Sequence, residues 1–361
     1  MAEPTAMIDE GNLRLQFASD NYAGICPEAM AGLRDANHGH APSYGTDRWT
    51  DEACELFRAL FGVPCEIFFV LNGTAANALA LASLCQSYHS VISHRYAHVE
   101  TDECGAPEFF SHGAKILLAD GHDGRIEPNE VELLVTRRAD IHYPKPRAIS
   151  LTQATELGTV YRADHLRAIR QMAERYSLKL HMDGARFANA VASLGEAPRA
   201  LTVDCGVDVL CFGGSKNGLG LGEAIIFFDL ELADEFDYRC KQAGQLASKM
   251  RFLAAQWIGA LRDGAWLRHA AHANACAREL KRRLEEIPGV ETMFEVEANC
   301  VFVRLPPAVI AALKARGWVF YTFIGLGGVR LMCSWDTQEE AITALVRDIA
   351  AAIHSPVAAD S

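Results

Sequence analysis

The chain has 361 residues, with 34 Lys and Arg against 46 Asp and Glu and a formal net charge of −12. At roughly 150 residues per domain, that length suggests about two domains. The acidic balance argues against a nucleic-acid binder, which needs a basic face, and against docking on anionic lipid.

Residues 1–10 read as a frayed tail, and MAEPTAMIDEGN has acids and no apolar core, so no signal peptide is expected there. From Leu13 to about Phe228, short apolar runs alternate with helical stretches. Glu66 to Leu71 predicts a buried strand, and the Ala- and Leu-rich segment Ala75 to Cys85 predicts a helix. Ala148 to Thr152 predicts a second strand. Asp164 is suited to cap a helix in which Leu166, Ile169, Met172, Ala173 and Tyr176 recur at helical spacing. Leu178 to Asp183, Val207 to Phe212 and Ala224 to Phe228 predict further strands. Such alternation implies a mainly parallel sheet covered by helices. After Asp229 the texture changes. Two long helices are predicted over about 230–261 and 265–286, then short strands near 289–294, 298–304 and 328–333, and a last helix over 338–354. The expected fold is α/β, with a large unit over residues 11–250, a smaller α+β unit over 251–361, and a helix around 250–280 as connector.

No segment reads as a membrane span. The longest region without formal charge, Ile67 to Ser93, is interrupted by Asn72, Gly73, Thr74, Asn77, Gln86 and His89. The 11 cysteines include no Cys-x-x-Cys pair, which favours reduced thiols and a cytoplasmic enzyme.

Three segments carry chemistry. Phe212-Gly213-Gly214-Ser215-Lys216 sets a lysine just past a buried strand, where open parallel sheets bind ligands. The spacing of a P-loop is absent, and Gly218-x-Gly220-x-Gly222 is no dinucleotide fingerprint. Asp183 ends its strand on the same edge, before Gly184-Ala185-Arg186. Asn72-Gly73-Thr74 opens a helix and offers N–H groups to an anion such as a phosphate. Taken singly, these are a surface lysine in a glycine loop, a helix cap and a simple turn. Together, a strand-end lysine and a strand-end aspartate suit pyridoxal phosphate, which needs an amine for its Schiff base and an acid for its ring nitrogen.

The order Gly73-Thr74, His98, Asp183-x-x-Arg186, Ser215-Lys216 resembles the fold-type I pyridoxal-phosphate enzymes. More closely it resembles the low-specificity branch of the L-threonine aldolases, from about Leu15 to Ile353. The segments Phe17 to Tyr22, Ala97 to Glu100, His142 to Arg147 and His181 to Arg186 carry the likeness. The resemblance implies a transferase-like large domain with a smaller C-terminal one, and aldol cleavage of L-threonine and L-allo-threonine to glycine and acetaldehyde. It implies Lys216 as Schiff-base lysine, Asp183 on the pyridine nitrogen, Gly73 and Thr74 on the phosphate, and His98 stacked on the ring. Arg186 is expected on the ring's phenolic oxygen, or else on a neighbouring carboxylate. Arg330, with Ser19, is expected to hold the substrate carboxylate. The basic stretch after Lys241, with Lys249 and Arg251 as candidates, is expected to reach the phosphate of a neighbouring subunit in a homodimer or homotetramer with shared active sites, which cation does so being left open.

The base for the β-hydroxyl is left open among His98, Asp102, Glu103 and His142, directly or through a water. No metal is expected. His94 and His98 could share a helix face, but no third ligand matches them, and His38/His40 and His269/His272 are no better. The same cofactor machinery would serve a β-eliminating lyase or an aminotransferase, and a catalytically silent homologue would be marked by loss of Lys216.

Overall fold

The computed structural model describes residues 16–323 and 328–354. The tail expected over residues 1–10 lies outside the described residues, as does Leu15. The large sheet has seven strands: β1 Glu66–Val70, β2 His89–His94, β3 Lys115–Ala119, β4 Lys145–Thr152, β5 Lys179–Gly184, β6 Val209–Phe212 and β7 Glu223–Phe227. Their order is β1-β7-β6-β5-β4-β2-β3. Only β7 runs against its neighbours. The carboxyl ends of β1, β4, β5 and β6 therefore lie along one edge, where open parallel sheets bind ligands.

Side chains alternate across each strand, so each face buries its own set. Leu180 and Met182 of β5 and Leu210 and Phe212 of β6 join one core, built against the helices Arg48–Phe61, Phe187–Leu194 and Arg251–Leu261. Val209 and Cys211 of β6 join the other, beneath the helix Gly73–Leu84. By the same alternation Asp183 turns away from Met182 and toward that helix. This is why a charged residue at the end of an apolar strand meets polar groups and not the main core.

The second sheet is antiparallel: β8 Glu291–Thr292, β9 Cys300–Arg304, β10 Tyr321–Phe323 and β11 Gly328–Met332, in the order β10-β11-β9-β8. The two hydrophobic cores do not part at residue 250, the boundary expected between the units. The helix Arg251–Leu261 buries Leu253, Ala254, Trp257 and Ile258 in the large core. The helix Ala265–Glu285 spans both, with Trp266 and Ala270 in the large core and Ala277, Leu280 and Leu284 in the small one. Phe17 also belongs to the small core: its ring lies 6.0 Å from Trp318 and its backbone bonds to Val319 and Met332. The amino-terminal segment thus crosses to the second sheet. The long helix expected over 230–261 is interrupted, because Glu235 and Gly244 both take left-handed conformations. Asp164 lies inside the first turn of the helix Ala163–Arg175 and does not cap it.

Phe212 sits in an aromatic cluster with Phe187, Trp257 and Trp266, at ring separations of 5.2, 5.3 and 5.5 Å. The chain then presses against its neighbour strand. A Cβ on Gly213 would lie 2.4 Å from the Ala185 carbonyl oxygen, and backbone cannot yield there. We expect Gly213→Ala to destabilise the protein by about 1–3 kcal/mol. Chemical denaturation checks this as a lower midpoint at unchanged slope.

Candidate active site

A cavity of about 210 Å³ opens at the carboxyl ends of β1, β5 and β6. Gly73, Thr74, Asn77, His98, Asp183 and Lys216 all line it. A wider depression of about 490 Å³, lined by Arg58, Pro64, Cys65, Glu66 and Leu230, lies at the amino end of β1 and gathers no comparable set of groups.

Asp183 is 2 % exposed. A buried carboxylate must be paired or hydrogen-bonded. Its Oδ1 accepts from the Ala185 N–H at 3.0 Å, and its Oδ2 from Asn77 Nδ2 at 3.0 Å. Asn77 also donates to Glu103 Oε1 at 2.8 Å, and that same oxygen lies 2.8 Å from His98 Nδ1. One polar chain therefore runs Asp183, Asn77, Glu103, His98. Burial alone would lower the His98 pKa. The hydrogen bond to Glu103 and the charges of Asp183 and Glu156 outweigh it and raise it. Burial pushes the Glu103 carboxyl up, against the hydrogen bonds from His98 and Asn77.

Lys216 lies in the short 3-10 turn Ser215–Asn217 after β6. Glu223, at the start of β7 and buried, holds this turn by accepting from the Gly214 N–H at 2.5 Å. Burial raises the Glu223 pKa, opposed by Ser215, Gly214 and the charge of Lys216. Asn72, not Thr74, caps the helix Gly73–Leu84, accepting from the Ala75 N–H at 2.9 Å. The first-turn N–H groups of Gly73 and Thr74 have no acceptor within the helix. A Cβ built on Gly73 would meet nothing within 4 Å, so the backbone there is open to a ligand. An amine, a buried carboxylate opposite it and an open helix N-terminus fit pyridoxal 5′-phosphate.

Arg186 does not line the cavity. Its Nε and Nη2 donate to Asp20 Oδ2 and Oδ1 at 2.7 and 3.0 Å, with both residues buried. Of the two expected roles, the structure thus displays the carboxylate pair. Burial would raise the Asp20 pKa, but the Arg186 charge and hydrogen bonds bring it below its ordinary value. Ser19 caps the turn Asp20–Tyr22, accepting from the Asn21 N–H at 3.1 Å, and Asn21 rather than Ser19 lines the cavity. Arg330 lies on β11 with its guanidinium 5.5 Å from the Tyr321 ring. Its Nε is buried and has no hydrogen-bond partner among the described residues. Gly327, beside it in the motif, lies outside the described residues.

Other candidates stand apart. Asp102 is exposed and accepts from Thr101 Oγ1. His142 is exposed in the loop before β4, at the amino edge of a strand whose other end faces the site, so it is not beside the cavity. His94 ends β2 and His98 begins the next helix, so they share no helix face. Lys249 is exposed, and Arg251 rests on Trp49 and Phe252, so in the single chain neither reaches the cavity. His269 bonds to Glu28 at 3.0 Å near Cys26, with Arg268 also beside Glu28. Asn77, Glu223 and Glu156 were not singled out from the sequence. A lone carboxylate heading the apolar run Ala224 to Phe228, and another just past the strand ending at Thr152, were the available signals.

His98 keeps its proton to higher pH than a free histidine, so the stability it draws from Glu103 is complete below pH about 6.5 and is lost as pH rises through the raised value. Glu103→Gln removes the acceptor charge and should lower the His98 pKa, as read by its imidazole NMR titration. An unchanged titration would show that Glu103 does not set it.

The beta-eliminating lyase family matches residues 16–306. The low specificity L-threonine aldolase of a Pseudomonas species is 61% identical over 336 residues, covering 93% of this chain and 97% of that relative. The enzyme of the same name from Pseudomonas aeruginosa is 62% identical, covering 92% and 96%. A solved threonine aldolase from Leishmania major superposes with a TM-score of 0.87 at 27% identity, covering 92% of this chain and 98% of that one. The chain belongs to the low-specificity L-threonine aldolases, lyases of the pyridoxal-phosphate-dependent beta-eliminating lyase family.

Proposed function

We propose that this chain cleaves L-threonine and L-allo-threonine to glycine and acetaldehyde, and acts on other L-β-hydroxy-α-amino acids. The observation that carries the reading is the cavity in which Lys216, Asp183 and the open helix end at Gly73 converge.

When bound, pyridoxal 5′-phosphate supplies an aldehyde that takes an amine and a ring that draws electrons from the Cα of the attached amino acid. Lys216 is the amine that holds it between turnovers. Asp183 keeps a negative charge where the ring nitrogen must stay protonated, and its two hydrogen bonds fix that charge in place. Gly73 and Thr74 offer N–H groups to the phosphate, with the helix dipole behind them. His98 covers the ring face and is oriented by Glu103. Arg330 takes the substrate carboxylate through the buried Nε that lacks a partner. Holding the carboxylate would also orient the Cα–Cβ bond for cleavage, a gain from orientation. Ser19 supports this from the amino-terminal turn. Lys249 and Arg251 act on the phosphate of a second copy in a dimer or tetramer.

Acetaldehyde release from L-threonine tests the reading. The protein loaded with pyridoxal phosphate should release it, and Lys216→Ala protein should not. A wild type that binds the cofactor yet releases none would sink it. Arg330→Lys keeps the charge but loses the planar fork. At about 1.5–3 kcal/mol for a charged hydrogen bond, KM for L-threonine should rise about tenfold to a hundredfold. A KM that does not move would remove Arg330 from the substrate site.

A further inference from the structure

Asp183 and Glu223 line the cavity, Glu103 and Asp20 lie behind it in contact with its lining or with Arg186, and Glu156 follows β4 on the same edge; the first four are engaged. Asp183 accepts from Asn77 and Ala185. Glu103 accepts from Asn77 and faces His98. Asp20 is held by Arg186 and Asn299. Glu223 is held by the Gly214 N–H. The fifth, Glu156, has no hydrogen bond or ion pair on its carboxylate among the described residues.

Glu156 lies in the loop that leaves the carboxyl end of β4, on the edge that carries Asp183 and Lys216. This loop is pinned. The Gln153 N–H donates to the Asp183 carbonyl at 2.8 Å, and the Ala154 N–H to the Arg186 carbonyl at 3.4 Å. The Thr155 N–H closes on the Thr159 carbonyl at 2.9 Å, and the two threonine hydroxyls bond at 2.8 Å. Thr155 and Leu157 are buried on either side, while Glu156 keeps access to solvent. Leu157 packs with Cys300, Phe302 and Met332 of the second sheet. Phe302 pairs across the strands with Arg330. Glu156 thus sits in a fixed loop between the edge of the large sheet that bears Asp183 and the strand that carries Arg330. Its charge helps raise the pKa of both His98 and Arg186, and it forms no contact pair with either.

We propose that the Glu156 carboxylate accepts the proton of the substrate β-hydroxyl, directly or through one water. This rests on the aldol-cleavage reading. The step balances within the substrate. The O–H proton passes to a Glu156 oxygen. The electron pair left on the β-oxygen forms the C=O of the departing aldehyde. The Cα–Cβ bond breaks, and its electron pair stays with Cα. Glu156 then returns its proton to water through its exposed side. The other candidates serve less well. His98 has Nδ1 turned to Glu103, which favours its protonated form. Asp102 is exposed and already accepts from Thr101 Oγ1, and His142 precedes β4, at the opposite end of the strand from the site.

The test uses the loaded enzyme and two substrates. Cleavage of L-threonine needs a base for the β-hydroxyl. Exchange of the glycine α-proton for deuterium, followed by NMR, needs the cofactor, Lys216 and Arg330 but has no β-hydroxyl. Glu156→Gln should lower kcat for cleavage about 10²- to 10⁴-fold, the usual worth of a general base. Glycine exchange, and the absorbance titration of glycine binding, should change by less than about tenfold, well short of the loss in cleavage. Glu156→Asp, which keeps a carboxylate, should recover part of the cleavage. Equal loss of cleavage and exchange in Glu156→Gln, or equal cleavage in the Gln and Asp variants, would overturn the assignment. A wild type that exchanges glycine but cleaves no β-hydroxy amino acid would overturn the aldol reading instead.

Discussion

The site depends on one constraint: a carboxylate buried at the end of a sheet strand must be satisfied without water. A bare charge there would cost several kcal/mol. Asp183 is satisfied by a backbone N–H from its own turn and by Asn77, one turn into the helix whose amino end opens on the cavity. That helix thereby acquires two tasks. Its first turn presents free N–H groups, and its next turn fixes the charge that a cofactor ring would meet. Because Asn77 also donates to Glu103, the histidine on the far side of the cavity joins the same network. Any movement of the helix would disturb all three groups at once.

A second buried charge joins the two cores. The Asp20 and Arg186 side chains form a two-point ion pair, and Asn299 donates to the same aspartate at 3.1 Å. Asp20 comes from the amino-terminal turn, Arg186 from the turn after β5, and Asn299 from the residue before β9. Planar guanidinium–carboxylate geometry is specific, so this contact sets position as well as attraction. Three distant parts of the chain meet beside the place where an amino acid would lie.

The Lys216 turn is fixed by packing instead of charge. Gly213 leaves no room for a side chain against Ala185, and Phe212 is held among aromatic rings. Glu223 then secures the turn from the antiparallel strand β7. The Lys216 amine is thereby presented to the cavity from a turn held on both sides.

Much of this was legible in the sequence because it is local. A strand-end lysine among glycines, a strand-end aspartate and an Asn-Gly-Thr turn before an Ala-rich helix each depend on residues adjacent in the chain. The parallel α/β core follows from alternating short apolar runs. The partners of these groups were not legible, because they come together across the sheet. Asn77 lies 106 positions from Asp183, and Asp20 lies 166 from Arg186. The exclusion of His142 likewise needed the strand direction, since only that shows which end of β4 it precedes. The break in the helix after Asp229 came from left-handed residues at Glu235 and Gly244, of which glycine alone announces itself. By itself, then, the sequence determined the layered core and the local ends of strands that bear the chemistry. Only the tertiary structure decided which groups satisfy the buried carboxylates Asp183, Asp20 and Glu223, because a charge is satisfied by whatever folds beside it and not by what precedes it in the chain.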